Sequence, residues 1–382
     1  MLKVVIASDS YKESLRAIEV CKAIEMGFSE VFPEAKYVTA PIGDGGEGTV
    51  QSLVDATGGK VISLDVTGPL GEEVEAFYGI SQDKRTAFIE MAAASGLHHI
   101  PIEKRNPLIT TTRGTGELIL HALDQGVQHI ILGLGGSATN DGGAGMLSAL
   151  GAKFLNENGE VMEPVGGNLH SIATFNLSEL DSRFVHVKLE AACDVDNPLI
   201  GPKGASFVFA KQKGANVEMM KELEENLKHY AHILKEHFHV DVAEVPGAGA
   251  AGGVGAAVVA VLKGQLRKGI EIVLDYIGFD KHIEGADLVL TGEGRIDEQT
   301  AYGKAPVGVA RRAKQHHIPV IAIGGSVLLN HIPIYKEGID AVFGVTASPM
   351  TLEEAYRSAE ENIKMTARNI ATVWKLASEK HL

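Results

Sequence analysis

The stretch Gly133–Gly145, GLGGSATNDGGAG, continues the apolar run HIILGL and sets six glycines around Ser137, Thr139, Asn140 and Asp141. Gly133, Gly135 and Ala138 match G-x-G-x-x-A after an expected strand, and Glu157 falls near where a ribose-binding acid would stand. A dinucleotide fingerprint, however, opens its helix within the motif. Here Asn140-Asp141-Gly142-Gly143 is itself a turn signal. The stretch therefore reads as an extended nest of backbone N–H groups. Gly135, Gly136, Ser137 and Thr139 are candidate phosphate or nucleotide contacts, and Asn140 a candidate substrate contact.

Outward from this loop, strand-like and helix-like segments alternate. KVVIAS at Lys3–Ser8 leads to Leu15, Ile18, Cys21, Ile24 and Phe28, whose spacing gives a helix one apolar face. KYVTAP leads through IGDGGEG into TVQSLVDATGG. Near the C-terminus come DLVLTGEG, the helix APVGVARRAKQHH, PVIAIGG, DAVFGV and a long helix from Thr351. Repeated βαβ units predict a parallel sheet covered on both faces. The middle differs in texture, with the β-rich runs TAFIEMA, HIILGLG, VKLEAACD and ASFVFA, a charged helix from about Val217 to His239, and a Gly/Ala run. The expected fold is α/β with two domains. Residues 1–66 and 280–382 form a Rossmann-like or flavodoxin-like parallel-sheet domain, and residues 67–279 an inserted second α/β domain, with a cleft between them.

A chain of 382 residues can bury cores for two domains. Its formal net charge of −14 disfavours nucleic acid as a partner, although a local site can still take a small phosphorylated ligand. Two cysteines, Cys21 and Cys193, make no disulfide framework and fit a reducing compartment. The run KVVIAS does not read as a leader, and Val245–Leu262 reads as a buried loop and helix rather than a membrane span.

The loops after strands carry the chemistry. Ser10 and Glu13 are spaced as a capping box, which would put Lys12 in the first helical turn, where the dipole disfavours a cation unless an anion binds there. GDGGEGT offers Gly45 and Gly46 as phosphate contacts, with Asp44 and Glu47 implying a metal or a hydroxylated ligand nearby. TGEGRIDEQT repeats the pattern with Glu293, Arg295 and Asp297, and ACDVDNPLIGPKGA supplies Asp194, Asp196 and Asn197. Such acids suit Mg2+, which prefers oxygen ligands, and they equally suit turn caps. Cys193 reads as a buried thiol. The stretch KHYAHILKEHFHV, with His229, His232 and His237, matches no zinc motif and reads as a solvated helix. No G-x-x-x-x-G-K-[ST] occurs.

Together DSYKESL, DGGEGT, VTGPLG, IEMAAASGL, NPLITTTRGTGELI, GGSATNDGGAGM, ACDVDNPLIGPKGA, QKGA, GAGAAGG and TGEGRIDEQT resemble, in order and over nearly the whole chain, the bacterial glycerate kinases of the type-1 family. Departures are Tyr11 for Phe, Gly43 for Ala, Arg113 for an aromatic residue and Ala210-Lys211 for Gly-Pro. The resemblance implies ATP-dependent phosphorylation of D-glycerate with Mg2+ in the cytoplasm, yielding 2-phosphoglycerate. Lys12, Asp44, Asp194 and Asp297 are then candidate catalytic residues, the last two also candidate metal ligands. Ser10, Asn140 and Arg295 are candidate substrate contacts, Arg295 as a fork for the carboxylate. A nicotinamide dehydrogenase using the GLGGSA loop and a non-catalytic metabolite-binding protein are the alternative readings.

Overall fold

The structure is a computed structural model that describes residues 1–379 apart from Asp44, Glu47 and Ala347. Its strands in chain order are β1 (Lys3–Ser8), β2 (Lys36–Thr39), β3 (Lys60–Thr67), β4 (Glu73–Ile80), β5 (Thr86–Glu90), β6 (His129–Gly133), β7 (Lys153–Leu155), β8 (Val161–Met162), β9 (Thr174–Asn176), β10 (Lys188–Ala192), β11 (Gln265–Arg267), β12 (Leu288–Ile296), β13 (Val320–Val327) and β14 (Ala341–Gly344). The chain divides into two compact units, Met1–Asp44 with Gln51–Thr57 and Ile270–Leu382, and Gly45–Val50 with Gly58–Gly269.

In the first unit the sheet runs β14-β13-β12-β1-β2, with every pairing parallel. Counted within that unit the order is 2-1-3-4-5, the doubly wound flavodoxin-like arrangement. Val4, Val5, Ile6 and Ala7 are all fully buried, as a central strand covered on both faces requires. The helix Ala17–Ser29 buries Val20, Cys21, Ile24 and Phe28 against this sheet and against the C-terminal helix Ala359–Glu379. Burial pushes the Cys21 thiol up to about 12, which makes it a packing residue. The strand order reverses between β1 and β12, and ligands of such sheets bind beyond the carboxyl ends at that point.

The second unit is built on the order β11-β10-β6-β5-β4-β3, parallel through β5, β6, β10 and β11 and antiparallel through β3 and β4. A small antiparallel sheet, β8-β7-β9, accompanies it. The division departs from the expected limits of 67 and 279. β3 pairs along its whole length with β4, so the residues from Gly58 already belong to the second unit, as do Gly45–Val50, and from Ile270 the chain packs with the first unit. ASFVFA is also not a strand. It forms the helix Ala205–Phe209, burying Ala205 and Ser206 side by side and exposing Phe207 and Val208, a pattern that does not alternate. The charged helix spans Val217–Phe238, and the Gly/Ala run becomes the buried segment Ala250–Ala260, broken at Ala251, Gly252 and Gly253, whose φ values of 55°, 69° and 98° are left-handed, and helical beyond them.

Close approach of two helices fixes Gly27. A Cβ there would lie 2.0 Å from the backbone oxygen of Lys364. Gly27→Ala should therefore destabilise the protein by roughly 1–3 kcal/mol through overpacking. Urea unfolding measures this, and an unchanged midpoint would contradict the packing described.

Candidate active site

At the carboxyl edge of the first unit's sheet, Ser8 pairs with Gly292 and Glu293 with Gly324. The Asp9 N–H continues the edge by donating to the Gly292 carbonyl at 2.9 Å, and the Asp9 carboxylate accepts from the Ser10 N–H at 2.6 Å. The following segment does not enter a helix. Tyr11 and Leu15 exchange N–H···O bonds of 2.9 Å, and Glu13 sits at φ 63°, closing a tight turn. The helix begins only at Ala17, where Glu19 reaches back to the Arg16 N–H. Ser10 is thus not its cap, and Lys12 is exposed in a turn rather than in a first helical turn. The Tyr11 hydroxyl donates to the Ile323 carbonyl at 2.9 Å, and burial, then Glu293, hold that phenol well above its usual range.

The expected loop at Thr291–Thr300 is mostly strand. β12 continues to Ile296 because Arg295 and Ile296 still pair with Ser326 and Val327 of β13. Glu293 is buried, accepts from the Thr300 hydroxyl at 2.6 Å and lies 3.6 Å from the Lys304 ammonium. Asp297 caps the short helix Glu298–Tyr302, its Oδ1 accepting from the Gln299 N–H at 2.9 Å. Its Oδ2 lies 3.2 Å from Arg295 Nε. The Arg295 side chain is 65% exposed, and its two Nη groups have no partner among the described residues, so the fork is open outward.

In the second unit Glu90, Gly133, Ala192 and Arg267 stand level across the ends of β5, β6, β10 and β11. The glycine pair Gly45–Gly46 lies on this edge. A Cβ on Gly133 would be 2.9 Å from the Gly45 oxygen, and one on Gly135 would be 3.9 Å from Gly46 Cα. Gly45 has φ +90°, and a Cβ on it would come within 2.8 Å of Ala192 Cβ and 2.9 Å of Gly269 Cα. Only glycine suits this position. Asp194 follows β10 as an exposed carboxylate whose Oδ1 accepts from the Gly269 N–H at 3.0 Å. Asp44 lies outside the described residues.

The opening stretch runs from β6 through an extended loop, and its helix, Ala144–Ala149, starts only after Gly143. That excludes the helix-borne phosphate geometry of a dinucleotide fingerprint. Gly135 and Gly136 are exposed, and their N–H groups have no acceptor among the described residues. Beneath them Ser137, Thr139, Asn140 and Asp141 are buried. Asn140 Nδ2 donates to the Ser206 hydroxyl at 3.3 Å, while Asn140 Oδ1 and Thr139 Oγ1 have no partner among the described residues. Asp141 accepts from the Thr112 N–H and hydroxyl, both at 2.8 Å, and from the N–H groups of Gly143 and Gly145 at 3.1 and 3.2 Å. Burial raises this carboxyl above the ordinary range, and the four donors oppose that shift.

Sequence reasoning passed over Lys213. It lies in the turn Lys211–Lys213, 2% exposed, and its ammonium donates to Ser137 Oγ at 2.8 Å and to the Thr139 carbonyl at 2.6 Å. In KQKG two lysines look like a solvated charge run, and no periodicity marks one as buried. Arg113 is engaged by Glu117 and Glu163, both at 3.2 Å, as part of a surface ion network. Cys193 is buried, with its thiol raised chiefly by burial. Among the described residues no three His, Cys, Asp or Glu side chains cluster as a metal cage, and no helix is long and apolar enough to cross a membrane.

Asp141→Ala would leave four buried donors without their acceptor. Such a loss should cost about 3 kcal/mol or more in urea unfolding. A change within about 0.5 kcal/mol, the range of an ordinary surface substitution, would contradict its structural role.

A family model described as "Glycerate kinase family" matches residues 4–375. A glycerate kinase of Bacillus cereus is 75% identical over 100% of both chains, and a glycerate 2-kinase of Escherichia coli is 55% identical over 97% of both. The crystal structure of a Salmonella typhimurium LT2 protein assigned as glycerate kinase 2 superposes with a TM-score of 0.92 at 53% identity, covering 99% of each chain. With a family match across nearly all its length and such relatives along it, this chain belongs to the glycerate kinase family.

Proposed function

We propose that the protein transfers the γ-phosphoryl group of ATP to D-glycerate, that the acceptor is the C2 hydroxyl, and that it works in the cytoplasm on small molecules alone. The observation that carries the reading is the pair Arg295–Asp297, a guanidinium open outward with a carboxylate 3.2 Å from its Nε. An α-hydroxy acid carries a carboxylate and a hydroxyl on adjacent carbons. The Arg295 fork matches the carboxylate in a two-pronged way that a lysine cannot. The neighbouring Asp297 then suits the hydroxyl next to it, and its carboxylate takes the hydroxyl proton as the oxygen attacks phosphorus. This adjacency favours C2 over C3. Ser10, at the edge of the same sheet, is a further contact for the hydroxyl-rich substrate, and the exposed Lys12 supplies positive charge for the transferring phosphoryl group.

The second unit's edge fits the nucleotide. The exposed N–H groups of Gly135 and Gly136 and the Gly45–Gly46 turn form a nest for phosphate oxygens, with the Ser137 hydroxyl next to it and the fully buried Thr139 and Asn140 supporting the loop from beneath. Mg2+, when bound, would neutralise the negative charge that develops on the phosphates during phosphoryl transfer. The residues fit such an ion, because Mg2+ takes one or two carboxylates and fills its remaining positions with phosphate oxygens and water. Asp194, exposed and hard, would hold it. Asp297 is the second candidate: each carboxylate has one oxygen already accepting an N–H, Asp194 from Gly269 and Asp297 from Gln299, and Asp297 Oδ2 also faces Arg295.

A coupled assay for ADP release across a panel of small hydroxy acids tests the reading. Turnover should require D-glycerate, ATP and Mg2+ together, stop with a chelator, and give 2-phosphoglycerate in the phosphorus NMR spectrum. No ADP release with D-glycerate would overturn the assignment. A 3-phosphoglycerate signal would overturn the adjacency argument alone.

A further inference from the structure

Lys213 is a fully buried cation that the proposed chemistry has not used. Burial brings its ammonium down to about 7, and the Asp141 carboxylate opposes that shift. Two of its hydrogens are committed, to Ser137 Oγ at 2.8 Å and to the Thr139 carbonyl at 2.6 Å. The consequence falls on Ser137. Its oxygen accepts from the ammonium, so the hydroxyl hydrogen must point to another acceptor, and none is found for it among the described residues. That hydroxyl lies next in sequence to the exposed N–H groups of Gly135 and Gly136. Three donors without protein acceptors are thus gathered in three consecutive residues, backed by a buried positive charge. Such an arrangement suits a multiply charged oxyanion, because donors and charge are preset and need no reorganisation when it binds.

We propose that Lys213 is a positioning residue for ATP: it fixes the Ser137 hydroxyl as a donor to a phosphate oxygen and holds the Gly135–Thr139 turn in its phosphate-receiving form. Its charge acts through Ser137 and through the loop carbonyl, without contact to the nucleotide. A phosphate in the loop in turn favours the protonated ammonium, so ligand and lysine charge support each other. The inference rests on the reading of the protein as an ATP-dependent kinase.

Calorimetric titration of the full chain with ATP and Mg2+, and separately with D-glycerate, tests it in the wild type, Lys213→Met, Ser137→Ala and the double variant. Methionine keeps an unbranched side chain one atom shorter and without the charge, and thermal unfolding reports whether each variant is folded. Lys213→Met and Ser137→Ala should each weaken ATP binding roughly tenfold or more, the weight of one charged hydrogen bond. The double variant should lose little beyond either single one, because the two residues act as one unit. Glycerate binding should stay within about twofold, inside the usual scatter of independent sites. Wild-type ATP affinity in folded Lys213→Met would overturn the proposal, as would additive losses in the double variant or a loss confined to glycerate. If Lys213→Met does not fold, Ser137→Ala decides, and wild-type ATP affinity in that variant overturns the proposal. A wild-type chain that binds no ATP would instead overturn the kinase reading, and this inference with it.

Discussion

The buried carboxylate of Asp141 is the constraint on which the second unit's loop architecture depends. A charge with no solvent around it is tolerable only when its lone pairs are filled, and here Thr112, Gly143 and Gly145 supply four donors. Those donors come from two directions. Thr112 precedes the helix Arg113–Asp124, and Gly143 and Gly145 open the helix Ala144–Ala149. Thr112 also accepts from the Met146 N–H at 2.8 Å, which locks the two helix starts together. The far end of the loop is thereby fixed, and its near end is the last residue of β6. Between these anchors the chain is held open, with Gly135 and Gly136 outward and Ser137 inward on Lys213.

The first unit reaches a comparable end by another route. Its sheet reverses strand order between β1 and β12, where such sheets take ligands; Asp9, Ser10 and Lys12 follow β1 there, and Glu293 to Asp297 lie at the end of β12. Buried acids at that edge are each given a partner. Thr300 and Lys304 attend Glu293, and Gln299 and Arg295 attend Asp297. The exposed members, Lys12 and the Arg295 fork, are the cations. An acidic protein that handles anions needs this separation, with carboxylates neutralised locally and positive groups presented outward.

The sequence made the strand–helix alternation of both chain ends legible, because central parallel strands are unbroken apolar runs and their helices repeat at three to four residues. KVVIAS, PVIAIGG and APVGVARRAKQHH could be read directly. What it could not show was where a strand stops when pairing, and not composition, sets the limit. Arg295 looks like a loop residue among glycines and is a strand residue because Ser326 lies opposite it. The Ser10–Glu13 spacing imitates a cap, but the mutual bonds of Tyr11 and Leu15 take those residues into a turn first. ASFVFA has the composition of a strand and the burial of a helix. Lys213 was invisible for a similar reason: its burial depends on a turn packing under a loop more than seventy residues earlier, a relation no local pattern carries.

The central claim is that the Gly133–Gly145 loop, anchored by Asp141, is the seat of the nucleotide phosphates. Amide hydrogen exchange followed by peptide, with and without ATP and Mg2+, measures it directly. The N–H groups of Gly143 and Gly145, already bonded to Asp141, should be protected in both states. Those of Gly135 and Gly136 should exchange quickly in the free protein and slow on nucleotide binding. Binding of ATP that leaves exchange in this segment unchanged, while protecting some other loop, would contradict the account.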